Sequence, residues 1–255
     1  MTSSGDCMTK FLMASIAFMM ALIFGGAANA QVPLKLTAAD GVTVYGNTYA
    51  ATGPAKATIL LFHQAASNAG EYSSIAPMLV KIGYDVIAID QRSGGVRFGQ
   101  GNQTVKALGE SSDYLDALPD LEAALAHARK TASDKPVIVW GSSYSAALVF
   151  LLAAKHPNDV AAVLAFSPGE YLSRASVADA AQKVRVPVFV TSASDDGEIQ
   201  AAKAILSATS ASLRDQYIPK SGVHGSSTLR EDSNPSGAAA GWAAVTAFLA
   251  KLPAK

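Results

Sequence analysis

The sequence predicts an α/β protein built on a mostly parallel β-sheet. Short apolar runs rich in β-branched residues, typical of strands buried on both faces, recur along the chain. Stretches with helical apolar spacing separate most of these runs, as the crossover connections between parallel strands require. With 255 residues, 50% of them hydrophobic, the chain is long enough to form one domain with a substantial core.

The predicted elements follow one another in a regular order. The first is a β-hairpin of residues 34–37 and 42–49, which predicts an antiparallel edge of the sheet. Further strands are predicted at 57–62, 85–90, 136–140, 160–166, 186–191 and 216–218, and helices at 71–82, 114–128, 176–183, 198–208 and 238–252, with another directly after residue 145. A Gly-rich loop is predicted from residue 91 to about residue 108. The linker after Phe166 is about 20 residues long and has room for a small lid only.

Residues 1–30 have the pattern of an export signal. Lys10 precedes an apolar run over residues 11–24, and Ala28-Asn29-Ala30 matches an A-x-A cleavage site before Gln31. The alternative is a retained membrane anchor, but the run is shorter than the about 20 residues that a membrane-spanning helix needs. We therefore expect residues 31–255 to form a single exported domain, periplasmic or secreted, with no stable membrane anchor after cleavage.

Composition argues against several classes of partner and cofactor. The 20 acidic and 20 basic residues balance and no basic block is present, which argues against nucleic acid as a partner. The one cysteine, Cys7, precedes the cleavage site, so the expected mature chain has no thiol for a disulfide or a metal. The histidines lack metal-ligand spacing and the glycines lack a dinucleotide-binding motif, so no cofactor is predicted.

The segment Gly141-Ser142-Ser143-Tyr144-Ser145 lies between the central predicted strand and a helix. It matches the G-x-S-x-G nucleophile elbow except at the last position, where Ser145 replaces glycine. In that motif the serine occupies a strained turn that exposes its hydroxyl above the sheet, and we expect the extra side chain of Ser145 to strain the fit. The five residues alone fit equally well a small-residue turn that packs a helix on a sheet.

Further sequence motifs are distributed over nearly the whole of residues 31–255. They are Phe62-His63-Gln64 with Gly70-Glu71-Tyr72, the turn at residues 90–95, and Val223-His224-Gly225. With these segments the chain resembles the α/β-hydrolase superfamily, and within it the small dienelactone-hydrolase-like members. The resemblance implies a three-layer α/β-hydrolase fold without a large cap domain, and a catalytic order of serine, acid and histidine. Dienelactone hydrolase has a cysteine nucleophile where this chain has Ser143, so its particular substrate does not follow.

His224 is the predicted general base for Ser143. A serine hydroxyl is a poor nucleophile unless a base takes its proton. Of the other histidines, His127 lies within a predicted helix and His156 at a helix end, whereas His63 begins the loop that the resemblance identifies with the oxyanion hole. His224 lies in a glycine-flanked loop after the last predicted strand. The alternative is that it is an ordinary surface histidine.

Asp196 is the predicted acid that orients His224. It follows the predicted strand at 186–191, and alignment on Pro187 with the family it resembles places Asp196 where the superfamily usually has an aspartate. The adjacent Asp195 is the nearest alternative, and Glu170, after the preceding strand, is a third candidate.

The oxyanion hole needs two backbone N–H donors. Tyr144, the residue after the nucleophile, is predicted to supply one, and the resemblance implies Gln64 for the other.

The predicted function is that of an exported serine hydrolase acting on a small-molecule ester or thioester through an acyl-enzyme on Ser143. Acyl transfer or peptide cleavage by the same residues is one alternative. A binding protein that keeps the fold without turnover is another, which the incomplete elbow leaves open.

Overall fold

The computed structural model describes residues 31–253, so the predicted export signal and Cys7 lie outside the described residues. Ten strands are present in this range: β1 (Val32–Thr37), β2 (Thr43–Tyr49), β3 (Thr58–Phe62), β4 (Asp85–Asp90), β5 (Val96–Arg97), β6 (Gln100–Gly101), β7 (Val137–Ser142), β8 (Ala162–Phe166), β9 (Val188–Thr191) and β10 (Arg214–Tyr217). Eight of them form one sheet in the order β1-β2-β4-β3-β7-β8-β9-β10, and β5 and β6 pair separately.

The sheet is parallel except at its N-terminal edge. β1 pairs antiparallel with β2 and β2 antiparallel with β4, whereas every pairing from β4 to β10 is parallel. This arrangement confirms the predicted mostly parallel sheet with an antiparallel edge.

Helices cover both faces of the sheet and complete three layers. The helices of the described range are α1 (Ile75–Lys81), α2 (Gln103–Leu108), α3 (Leu118–Thr131), α4 (Tyr144–Lys155), α5 (Val177–Ala181), α6 (Asp196–Ala208) and α7 (Ala238–Ala250). Buried residues of α3, α4, α5 and α6 share one apolar cluster, and those of α1 and α7 share the other. None of the helices within residues 31–253 is long and apolar enough to span a membrane.

The central strands are apolar over most of their length because both of their faces are covered. Along β3, Leu60 and Phe62 join one apolar cluster, whereas Ile59 and Leu61 join the other. Successive side chains of a strand point to opposite faces, so a strand between two helical layers needs apolar residues at every position.

Two predicted segments differ from the structure. The helix predicted at 71–82 is divided into a 3₁₀ turn, Ala69–Tyr72, and α1 from Ile75. The turn is stabilised by the Asn68 side chain, which accepts a hydrogen bond from the Gly70 N–H, and it directs Glu71 into the interior. The Gly-rich loop predicted at 91–108 contains the β5–β6 hairpin and α2.

Candidate active site

Ser143 occupies the strained turn that joins β7 to α4. Its backbone has φ +59° and ψ −122°, a conformation that a non-glycine residue adopts only when its surroundings enforce it. A Cβ on Gly141 would overlap the backbone of Ser145 and Ala146, so the strand and helix pass too closely there for any side chain. This geometry is that of a nucleophile elbow.

Ser145 is accommodated by hydrogen bonds. Its Oγ donates to the carbonyl oxygen of His63 at 2.6 Å and accepts from Gln91 Nε2 at 2.6 Å. The hydroxyl thereby joins the first turn of α4 to the loops that follow β3 and β4. The polar group of this side chain therefore has partners, and the expected strain of the elbow stays a prediction.

Ser143, His224 and Glu198 form a continuous hydrogen-bonded chain. His224 Nε2 lies 2.7 Å from Ser143 Oγ, and His224 Nδ1 lies 2.6 Å from Glu198 Oε1. The three side chains come from the segments that follow β7, β9 and β10, which end at the same edge of the parallel sheet. A nucleophile, a base and a group that orients the base are the parts that nucleophilic acyl transfer requires.

The carboxylate that contacts His224 belongs to Glu198, which corrects the prediction of Asp196. Helix α6 begins at Asp196, and Asp195 is its N-cap, whose Oδ1 accepts the Glu198 N–H at 3.0 Å. Within the described residues Asp196 makes no hydrogen bond or ion pair with His224. Glu198, in the first helical turn, reaches back toward the sheet edge, where its Oε2 accepts the Ala193 N–H at 2.9 Å.

The two other acidic candidates have structural roles. Asp195 caps α6, and Glu170 accepts the N–H groups of Val177 and Ala178 at the start of α5. One sequence signal could have identified Glu198. Asp195-Asp196-Gly197-Glu198 has the spacing of a capping box, which places a helix start at Asp195 and turns the side chain three residues later back toward it.

The contact between Glu198 and His224 stabilises the charged form of both side chains. Burial raises the pKa of Glu198, but hydrogen bonds from His224, the Ser167 hydroxyl and the Ala193 N–H outweigh it and lower that pKa to about 2. The hydrogen bond to Glu198 raises the pKa of His224, and partial burial of the imidazole opposes this rise. Glu198 is thus ionised at neutral pH and stabilises an imidazolium on His224.

The predicted oxyanion donors differ in their availability. No described residue accepts the Tyr144 N–H in the first turn of α4, and its role as an oxyanion donor stays a prediction. The Gln64 N–H instead donates to Glu71 Oε2 at 2.8 Å, so the structure does not leave it free for an oxyanion. The next N–H along, that of Ala65, has no acceptor within residues 31–253. The sequence alone does not distinguish Gln64 from Ala65 as the donor, because a backbone N–H does not depend on the side chain of its residue.

His63 braces the loop after β3. Its ring is fully buried, Nδ1 lies 2.7 Å from the Gln64 carbonyl oxygen, and Nε2 accepts the Gln91 N–H at 3.0 Å. These partners assign the neutral form with the proton on Nδ1, and burial lowers the pKa of the ring. His63 therefore orders this loop and makes no hydrogen bond to Ser143.

Comparison with known proteins identifies the fold and the family. The sequence pattern of the family described as serine aminopeptidase, S33, matches residues 53–193, more than half of the chain. A search of curated protein sequences found no match. The matched segment includes Ser143 but ends before Glu198 and His224, so the pairing of these two residues rests on the structure alone.

Solved structures of hydrolases have the same fold. A dienelactone hydrolase from Anabaena variabilis shares 16% identity over 88% of this chain and 99% of its own, with a TM-score of 0.69. An esterase from Pyrococcus furiosus shares 18% identity over 88% of this chain and 93% of its own, with a TM-score of 0.67. A carboxyl esterase from Bacillus coagulans shares 11% identity over 73% and 90% of the two chains, with a TM-score of 0.58. Together with the family match, these likenesses confirm the predicted three-layer α/β-hydrolase fold.

Proposed function

Because the chain belongs to the serine aminopeptidase family S33, within the α/β-hydrolase superfamily, we propose that it is a serine hydrolase that cleaves small-molecule esters or thioesters. One observation carries this proposal: the hydrogen-bonded chain from Ser143 Oγ through His224 to Glu198. This arrangement supports the roles of nucleophile for Ser143, general base for His224 and orienting acid for Glu198.

Acylation begins at Ser143. His224 Nε2, in contact with the hydroxyl, takes its proton as Oγ attacks the acyl carbon of the substrate. Glu198 holds Nδ1–H of His224, which keeps Nε2 free as the base and stabilises the imidazolium that forms. His224 then protonates the departing alcohol or thiol, and in the second half-reaction it activates the water that releases the acyl group from Ser143.

The tetrahedral intermediate carries a negative oxygen that two amide groups stabilise. We assign this role to the N–H groups of Tyr144 and Ala65, which make no hydrogen bond to a described residue, whereas the Gln64 N–H is bound to Glu71. Donors that are fixed before the reaction stabilise the developing charge without having to reorganise.

The charges around His224 favour an ester over an aminopeptidase substrate. An aminopeptidase has to bind a free ammonium group close to the scissile bond. The cation near His224 is Arg97, which is exposed, donates to Gln64 Oε1 at 3.1 Å and forms no salt bridge within the described range. The nearby carboxylates of Glu198 and Glu71 already bind His224 and buried donors, respectively. The solved esterases of the same fold also support an ester substrate.

Aminopeptidase activity remains the second candidate, because it is the activity that gives the matched family its name. A substrate panel separates the two. We expect p-nitrophenyl acetate and butyrate, and their thioester analogues, to be hydrolysed with a higher kcat/KM than alanine or leucine p-nitroanilide. The opposite order would replace the ester proposal with the aminopeptidase one.

Ser143→Ala tests the nucleophile. The variant should lose several orders of magnitude in kcat on p-nitrophenyl butyrate while its melting temperature stays close to that of the parent. Ser133→Ala, a change at an exposed serine far from the elbow, is the matched control and should keep full activity. A fluorophosphonate probe should label the parent at Ser143. A parent protein with neither turnover nor labelling would favour the non-catalytic binding protein.

We also propose that the protein is exported. Residues 1–30 have the pattern of a cleavable signal, and cleavage after Ala30 would leave a chain beginning at Gln31.

A further inference from the structure

Glu71 is a carboxylate that the hydrolytic steps above leave without a role. Its side chain is completely buried on the 3₁₀ turn that follows the loop after β3. Burial raises its pKa, and hydrogen bonds from Ser142 and Gln64 oppose this rise. Burying an ionisable group costs free energy unless hydrogen-bond donors or a countercharge satisfy it.

The acceptor oxygens of Glu71 join two segments of the proposed active site. Glu71 Oε2 accepts the backbone N–H of Gln64 at 2.8 Å, and Oε1 accepts the side-chain Nε2 of the same residue at 3.1 Å. Glu71 Oε1 also accepts the hydroxyl of Ser142 at 2.6 Å. Ser142 is the residue directly before the nucleophile, and Gln64 directly precedes Ala65.

Ser142 extends the connection to the loop that contains His224, which is named the histidine loop. Its Oγ accepts the backbone N–H of Ser226 at 2.8 Å, so its own proton is directed to Glu71. Ser226 lies two residues after His224. The intervening Gly225 has φ +71°, and a Cβ there would collide with Ser142 Oγ and lie 3.6 Å from Glu71 Oε1. The histidine loop thus passes directly over the Ser142–Glu71 pair.

We propose that Glu71 is a positioning residue. It fixes three parts of the site relative to one another: the loop at Gln64 and Ala65, the nucleophile Ser143, and the loop that contains His224. This inference rests on the proposed function. By binding the Gln64 N–H, Glu71 turns that amide away from the substrate and leaves the following Ala65 N–H as the oxyanion donor. By binding Ser142, it fixes the backbone on which both Ser143 and the His224 loop rest. Glu71 contacts neither the substrate nor the reacting atoms.

Glu71→Gln is the direct test. A glutamine of the same shape cannot accept all three hydrogen bonds, because its NH₂ group replaces one acceptor oxygen with a donor. We expect kcat on p-nitrophenyl butyrate to fall by roughly tenfold to hundredfold with KM nearly unchanged, the loss that a small misplacement of catalytic groups produces. The affinity for an alkyl trifluoromethyl ketone, which forms a tetrahedral adduct on serine, should fall by a similar factor.

Asp120→Asn is the matched control. Asp120 is also a completely buried carboxylate, but it binds the backbone and guanidinium of Arg92 and makes no hydrogen bond to the catalytic segments. This variant should lower the melting temperature while the kcat of the folded protein and the affinity for the ketone stay at parental values. A parallel loss of rate and ketone affinity in Glu71→Gln alone therefore reports positioning and not general stability.

Ser142→Ala provides a second route if Glu71→Gln does not fold. It keeps the carboxylate but breaks the link to the Ser226 N–H, and we expect a smaller loss of kcat and ketone affinity in the same direction. Folded variants with kcat and ketone affinity within twofold of the parent would overturn the inference while the proposed function stands. A rise in KM alone would overturn it in favour of substrate binding. An inactive parent protein would overturn the inference and the proposed function together.

Discussion

A single carboxylate contact determines how His224 is held, and its loss should have a large effect on the rate. Glu198 binds Nδ1 of the imidazole at 2.6 Å, so Glu198→Gln removes the charge that stabilises the imidazolium and permits the wrong tautomer. We expect kcat to fall by about 10³- to 10⁴-fold, the scale seen when the acid of such a triad becomes an amide. Asp196→Asn is the control and should stay within a few-fold of the parent. Steady-state kinetics on p-nitrophenyl butyrate measure both, and the reverse ranking would restore Asp196 as the acid.

The pH dependence of kcat/KM should report the same contact. His224 acts as a base only when it is neutral, and the hydrogen bond to Glu198 raises its pKa above the ordinary value of about 6.5. The rate should therefore fall as the pH drops through this raised pKa. In Glu198→Gln the main cause of the rise is gone, so the residual activity should persist to lower pH. A midpoint that does not move between the two proteins would contradict the assigned partner.

The residues of the site differ in how far sequence predicts them. Ser143 and His224 could be predicted because a motif places the serine and elimination isolates the histidine. Glu198 was missed because counting along the chain from Pro187 points to Asp196, whereas the start of α6 determines which side chain faces the histidine. The predicted Gln64 donor does not agree with the contact that the structure gives its N–H, because Glu71, seven positions along the chain, binds that N–H; Ala65 is the donor we propose instead.

At the scale of elements, the junction of β7 and α4 should tolerate no side chain at Gly141. A Cβ there would overlap backbone atoms of Ser145 and Ala146, which cannot rotate away as a flexible side chain could. Gly141→Ala should lower the free energy of unfolding by about 4 kcal/mol or more, or prevent folding, which is the range of severe core disruptions. Gly53→Ala, where a Cβ meets nothing within 4 Å, is the control and should unfold near the parental urea midpoint. A Gly141→Ala protein with a parental midpoint would contradict this account of the elbow.

The elements themselves follow from local patterns where tertiary contacts agree with those patterns. The strands β3, β4, β7 and β8 each contain a continuous apolar run because the sheet is covered on both faces. The segment at 69–81 departs from its predicted single helix because Glu71 turns inward to bind Gln64 and Ser142. A buried polar contact with a residue distant in sequence cannot be read from helical periodicity.

At the scale of the whole molecule, the α/β arrangement explains why distant residues meet. Parallel strands bring their carboxyl ends to one edge, so the loops after β3, β7, β9 and β10 converge although they span more than half of the chain. The sequence predicts this convergence from the alternation of strands and helices alone. It does not predict the contacts within the edge, which depend on where each helix begins.

The proposed export signal at residues 1–30 has a boundary that can be tested. All the described strands and helices lie between Val32 and Ala250, so a chain that begins at Gln31 should retain every contact of the sheet and both apolar clusters. We expect mass spectrometry of the exported protein to give a mature chain starting at Gln31. Its melting temperature should match that of a recombinant 31–255 chain, since the two chains would be identical. Replacing Ala28 and Ala30 by arginine should block cleavage and leave an uncleaved, membrane-associated precursor, because the signal peptidase needs small residues at these positions. An unaltered protein that keeps residues 11–24 and stays in the membrane fraction would show instead that the apolar run is an anchor.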